Sequence, residues 1–323
     1  MLKTLEQIVA QHREEWAARS LAQQQREIEN NEAVARLYGL EDEVPSHVPL
    51  ERVSLTNNSA FRWPNKTPEE RDILFTESSI VDLISYSVGC MLGRYSLDEP
   101  GLILADQGST LEDYLARVPE PSFMPDADNV IPIVDGEWFE DDIVDRFKKF
   151  LRVAFGEEHL EENVRFVEEA LGVSTLRDYF ITRGGRSRFY EDHWKRYKKR
   201  PIYWLFSSPR GSFNALIYMH RYNTSTVSAV LNEYLREYQA KLEANIQNLE
   251  REIAVEVTPR ERARAEKEID RLRKIVAELR EYEHDVLYPL AAEQISIDLD
   301  DGVKENYPKF GTALRKIPGL SGK

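Results

Sequence analysis

Residues 183–200 concentrate eight cations, Arg183, Arg186, Arg188, Lys195, Arg196, Lys198, Lys199 and Arg200, against only Glu191 and Asp192. Lysine and arginine at this density suit phosphate contact, because each neutralised phosphate releases a condensed counterion. Phe189, Tyr190, Trp194 and Tyr197 are interleaved with the charges, and aromatic rings can stack on bases or sugars. The opposing reading is a solvated helix face whose aromatics belong to the core, or cations that meet acidic residues elsewhere in the chain. Arg210, between Pro209 and Gly211 in the turn-rich stretch Ser207–Ser212, adds a candidate base or groove probe. The whole chain carries a formal net charge of -14, which by itself argues against a nucleic-acid partner. The basic stretch is a local departure that this total conceals.

Other site chemistries are missing from the sequence. No Gly-x-Gly occurs, so the usual dinucleotide, methyl-donor and kinase loops lack their backbone. There is no Gly-Lys-Ser/Thr phosphate loop. Without a Pro-Pro pair there is no Asn/Asp-Pro-Pro-aromatic loop to hold a flipped adenine. No acidic residue stands two before a lysine, which removes the Asp/Glu-x-Lys half of a common nuclease site. The histidines (12, 47, 159, 193, 220 and 284) never fall three or four apart, so no local metal pair forms, and Cys90 is alone. Asp298-Leu299-Asp300-Asp301-Gly302 has the wrong register for a calcium loop, whose sixth position would be Val303 here. The expectation is a chain with no catalytic residues, no metal site and no cofactor of its own.

The elements that must carry the basic stretch are mostly helical. Residues 2–37 read as one polar helix with a loose apolar stripe, and the proline-bearing residues 38–64 as a connector. Thr67-Pro68-Glu69-Glu70 is a capping box that starts a helix running to about Tyr95. Short apolar runs at 102–104 and 130–134 suggest strands. Residues 137–155 and 158–171 suggest amphipathic helices, the latter closed by Gly172. Aromatic and β-branched runs at 202–206 and 213–218, around a turn, predict a β-hairpin. Beyond it, apolar residues spaced by threes and fours run from Val227 to Ile253. The same spacing resumes after a second capping box at Thr258–Glu261 and continues to Leu290. Narrow stripes flanked by dense charge predict an antiparallel helical hairpin with a coiled-coil seam, each arm roughly 40 Å long.

The fold class expected is therefore mainly α with a small β component (α+β). Four parts are expected: 1–66, an N-terminal helix and connector; 67–222, a mixed domain with the β-hairpin at 202–218; 223–295, the helical hairpin; and 296–323, an irregular tail. No run approaches 18 uninterrupted apolar residues and the N-terminus lacks a signal-peptide block. With a single cysteine as well, a cytoplasmic location without membrane partners is expected.

Two long stretches carry a resemblance. They are Leu83-Ile84-Ser85-Tyr86-Ser87-Val88-Gly89-Cys90-Met91-Leu92-Gly93-Arg94-Tyr95-Ser96-Leu97-Asp98 and the run from Lys198-Lys199-Arg200-Pro201 through Ile217-Tyr218. Both resemble the C-terminal half of PglX, the adenine-specific DNA methyltransferase family of BREX phage-defence systems. Residues 37–44, 135–139 and 300–307 resemble it in the same order. The family's methyl-donor and adenine-binding motifs lie upstream of this region and have no counterpart here. The resemblance thus implies a region used for target recognition and spacing, as in related restriction-modification enzymes. It implies DNA, a methyltransferase catalytic half in cis or trans, and other defence-system subunits as partners. S-adenosylmethionine would then belong to the full-length protein. The alternative is a protein-interaction scaffold of a defence complex without direct DNA contact. The acidic net charge favours the scaffold; the basic stretch and the resemblance favour DNA. From the missing motifs we expect this 323-residue chain neither to bind S-adenosylmethionine nor to methylate DNA. Calorimetry showing micromolar binding of that cofactor would contradict the expectation.

Overall fold

A computed structural model describes residues 3–254 and 258–320. The principal helices in chain order are α1 (Leu5–Tyr38), α2 (Pro68–Met91), α3 (Ile143–Phe155), α4 (Leu160–Leu171), α5 (Arg188–Arg196), α6 (Arg236–Ala254) and α7 (Pro259–Tyr282). The strands are β1 (Ile131–Pro132), β2 (Tyr203–Ser207) and β3 (Asn214–Tyr218). The protein is mainly α with one small antiparallel sheet. It divides into two compact units, residues 1–83 with 155–172, and residues 84–154 with 173–323.

In the first unit, Thr4 caps α1 in a capping box with Gln7, and Gly39 closes it in the left-handed conformation at φ 66°. The helix is tied down near its start, where the Leu5 N–H donates to Asn163 Oδ1 of α4 at 2.8 Å. The connector after α1 runs back along it, with Gln24 donating to the Val48 carbonyl and Asn31 to that of Ser46. Thr67 and Glu70 form the predicted box at the start of α2. By length and composition α2 is the one helix among the described residues that could cross a membrane. Its apolar residues Ile80 in the first unit and Ile84, Val88 and Met91 in the second are fully buried, while Ile73 is exposed.

The second unit is built on the sheet. Its strand order is β1-β3-β2, with β2 and β3 in the register Tyr203↔Tyr218 to Ser207↔Asn214. Every residue of all three strands is buried, which explains continuous apolar and aromatic runs in place of alternation. The tail at 296–323, expected to be irregular, is instead ordered against this sheet in its described part. Three short helical turns span Leu299–Phe310, and the chain then pairs with β2. Ser207 N–H donates to the Ala313 carbonyl at 2.9 Å, and Arg315 N–H to that of Leu205 at 2.7 Å. The edge groups of β2 take partners there, as buried backbone must. Leu102–Leu104 is not a strand; Ile103 and Leu104 give their N–H groups to the carbonyls of Arg94 and Gly93 in the turn after α2. Of residues 130–134 only Ile131–Pro132 is β. The helix expected from 137 begins at Ile143, where the Asp142 carboxylate accepts from the Val144 and Asp145 N–H groups.

Helices α6 and α7 lie side by side and antiparallel. The order of their ion pairs proves the direction: Glu243 meets Arg280 at 2.8 Å, while Glu250, further along α6, meets the earlier Arg273 at 2.7 Å. The seam buries Tyr238, Leu242 and Ile246 against Ile269, Leu272, Val276 and Leu279. Residues 255–257, expected in the connecting turn, lie outside the described residues. One-turn π-helical segments at Val230–Leu235 and Glu283–Leu287 adjoin the two arms, a feature that periodicity does not reveal. Leu272 is wholly buried. Leu272→Asp combines lost burial with an unpaired buried carboxylate, and should destabilise the protein by about 3 kcal/mol or more in urea unfolding.

Candidate nucleic-acid interface

The predicted cations fall on α5, on the loops flanking it, and on the β2–β3 turn. Helix α5 is capped by Ser187, whose Oγ accepts from the Tyr190 N–H. It is pinned to the sheet by His193. The His193 ring is buried, and its Nε2 accepts from the Tyr203 N–H at 3.1 Å. Burial pushes its pKa down to about 3, so the ring stays neutral and can accept. Phe189 and Tyr190 are only 3% and 2% exposed. They belong to the core, and the expectation that they could stack on bases is corrected. Trp194 and Tyr197 are half-buried, with Tyr197 packed 4.9 Å from the His193 ring. The reason is helical geometry: a short helix on a sheet must turn one aromatic side inward.

The cations themselves point outward, and several meet carboxylates. Arg183 pairs with Glu268 of α7 at 3.1 Å. Arg186 forks onto Glu191, both of its hydrogen bonds being 2.9 Å; these bonds hold the Glu191 carboxyl below its usual range. Lys195 approaches the same Glu191 at 3.9 Å. Arg188 lies 4.0 Å from Asp192, with its guanidinium 5.6 Å from the Tyr179 ring centre. Arg196 and Arg200 are exposed. Lys198 and Lys199 end the helix in the left-handed conformation, at φ 51° and 63°, with Lys199 N–H donating to the Trp194 carbonyl. Among the described residues, Lys198, Lys199 and Arg200 form no ion pair.

The structure separates these residues into two groups. Helix α5 rises about 13 Å over its nine residues, with Arg186 beside its start and Lys198–Arg200 just beyond its end. Arg186 and Arg210 share a cleft of about 880 Å³, bounded by the 184–186 loop, the 207–210 turn and residues 308–316 of the tail. Two cations that sequence reasoning missed, Arg315 and Lys316, line the same cleft. Nothing in the sequence marks them, since they stand more than a hundred residues from Arg210 in a segment without periodicity.

The turn that presents Arg210 is organised from below by Glu278 of α7, a residue that reads in the sequence as one more charge on a helix face. Its buried carboxylate accepts from Ser208 Oγ at 2.6 Å, Arg210 N–H at 2.7 Å and Ser212 Oγ at 2.5 Å. Ser208 Oγ accepts in turn from the Phe213 N–H. The adjacent loop packs so closely that a Cβ on Gly185 would lie 2.0 Å from the Arg210 carbonyl oxygen, so only glycine fits.

The fold and the site together define a helix-rich region with a basic cleft built on a small sheet. It is homologous to part of the adenine-specific methyltransferases of BREX systems. The chain is 39% identical over 307 residues to the adenine-specific methyltransferase BrxX of Escherichia coli O9:H4 (strain HS), an alignment that covers 90% of this chain. It is 33% identical over 327 residues to the adenine-specific methyltransferase PglX of Lacticaseibacillus casei (strain Zhang), covering 93% of this chain. It spans 25% of the length of each relative, and so corresponds to a partial region of such a protein. No family model matches the chain.

Glu278→Ala leaves the Ser208 and Ser212 hydroxyls and the Arg210 N–H without their acceptor. Hydrogen bonds to a buried charge are worth about 1.5–3 kcal/mol each and are not additive, so a loss of roughly 2–4 kcal/mol is expected. Urea unfolding measures it, and hydrogen exchange should show lost protection at the Arg210 amide. An Arg210 amide protected as in the wild type would show that Glu278 does not organise the turn.

Proposed function

We propose that this chain is the non-catalytic C-terminal target-recognition and spacer region of a BREX-type adenine-N6 DNA methyltransferase, contacting DNA and partner subunits in the cytoplasm. The observation that carries the reading is the 90% coverage of this chain by a relative of which it forms only a quarter, in a sequence that lacks the methyl-donor and adenine-holding motifs. On this reading methyl transfer and S-adenosylmethionine belong to a catalytic half in cis or trans. Arg183, Arg186, Arg188, Lys195, Arg196, Lys198, Lys199, Arg200 and Arg210 supply DNA contacts, and the long α6–α7 arms serve as spacer and docking surface for other defence subunits.

The ion pairs of Arg183, Arg186, Arg188 and Lys195 favour a second reading, a scaffold without DNA contact, because a cation already facing a carboxylate gains less from a phosphate. Replacing Lys195, Arg196, Lys198 and Lys199 together by Glu separates the two. If they touch phosphates, duplex binding by the chain or its reconstituted complex collapses while the circular-dichroism spectrum stays native. The slope of log affinity against log salt should then fall by roughly 3–4, since each neutralised phosphate accounts for about 0.9 of it. Unchanged affinity and slope would leave the scaffold.

A further inference from the structure

The cleft between the β2–β3 turn and the tail is basic. Among the described residues it is lined by Arg186, Arg210, Arg315 and Lys316 and by no carboxylate, in a chain whose net charge is -14. Arg186 is offset by Glu191, whose carboxylate also attracts Arg315 from further away, but Arg210, Arg315 and Lys316 form no ion pair among the described residues. They come from two segments, the β2–β3 turn and the tail, that the fold brings together. Arg210 stands on the turn fixed by Glu278. The backbone of Arg315 is bonded to β2, and its Nη1 donates to Ser207 Oγ at 3.3 Å. A Cβ on Gly211 would lie 3.0 Å from that same Nη1 and 2.6 Å from the Gly185 carbonyl oxygen. The guanidinium is thus seated on bare backbone, and the loop at Gly185 forms the cleft floor beside it.

The lining also shows what the cleft lacks. Glycine, proline, serine, threonine and leucine accompany the cations, and no aromatic side chain lines the cleft among the described residues. Single-stranded nucleic acids are held by aromatic rings stacked on unpaired bases. A duplex keeps its bases stacked internally and offers phosphates to arginine, lysine, hydroxyl and backbone donors. We infer that this cleft seats the sugar-phosphate backbone of double-stranded DNA, with Arg210, Arg315 and Lys316 as its phosphate contacts and Glu278 as the positioning residue for Arg210. The inference rests on the DNA-contacting reading above, and moves its centre from the far end of α5 to a site completed by the tail.

The test measures binding of the 323-residue chain to a labelled duplex, to one of its single strands, and to the duplex in competition with inorganic phosphate at constant ionic strength. The proteins are wild type, Lys316→Glu, and Arg315→Ala with Lys316→Ala. Lys316 is exposed, so Lys316→Glu keeps the test valid if removing the Arg315 hydrogen bond to Ser207 disturbs folding. The expected result is duplex binding weakened by more than about tenfold in both variants. In the double variant the salt slope should fall by about 2, because two phosphates are no longer neutralised. Wild-type chain that binds duplex neither alone nor in its reconstituted complex overturns both the inference and the DNA-contacting reading. Duplex binding left intact by the cleft variants, but abolished in the Lys195, Arg196, Lys198 and Lys199 variant, overturns the cleft alone. Single strand bound as tightly as duplex through the same residues overturns the duplex assignment. Displacement of the duplex by millimolar phosphate would reduce the cleft to a simple anion site and overturn the inference as well.

Discussion

The carboxylate of Glu278 is the constraint on which the second unit's site depends. A charged group with so little contact with water persists only when its oxygens are satisfied, and here the β2–β3 turn satisfies them with two serine hydroxyls and one backbone N–H. The same three bonds fix the turn onto α7. Because α7 is held against α6 by the apolar seam around Leu272 and Leu279, the position of Arg210 is set by a helix sixty-odd residues further along the chain. Core packing, turn geometry and site geometry are in this way parts of one arrangement.

Charge is distributed to a matching end. Acidic side chains on α5 and α7 meet Arg183, Arg186, Arg188 and Lys195, so the stretch richest in cations is partly neutralised by its own surroundings. The cleft has fewer cations, but Arg210, Arg315 and Lys316 form no ion pair among the described residues, and their segments are anchored by backbone hydrogen bonds. Exposed ion pairs stabilise little; their effect here is on how much attraction each cation retains for an outside anion.

Relation to the BREX methyltransferases is carried by the sequence over nearly all of the chain and by a quarter of each relative. The long motifs at 83–98 and 198–218 fall on structure with clear physical demands. The first covers the buried end of α2, where Gly89 packs against the Tyr95 ring of the turn that follows and a Cβ would approach to 2.3 Å. The second is the approach to the sheet and the β2–β3 hairpin, buried throughout its strands.

Local signals in the sequence determined α1, α2, α4 and the capping boxes at Thr67 and Thr258, the β2–β3 hairpin and the seam of α6 and α7, but not helix α5 or the start of α3. Each depends on residues within a few positions of one another, which side-chain periodicity and capping chemistry report directly. The basic stretch at 183–200 was legible for the same reason. Tertiary structure alone decided the rest. It turned Phe189 and Tyr190 into the core and set Glu268 of α7 opposite Arg183. It drew the tail onto β2 and so brought Arg315 and Lys316 to Arg210, and it made Glu278 the acceptor for a distant turn. The physical reason is that these depend on which surfaces meet, and contacts across tens to more than a hundred residues leave no period, cap or spacing in the chain that forms them.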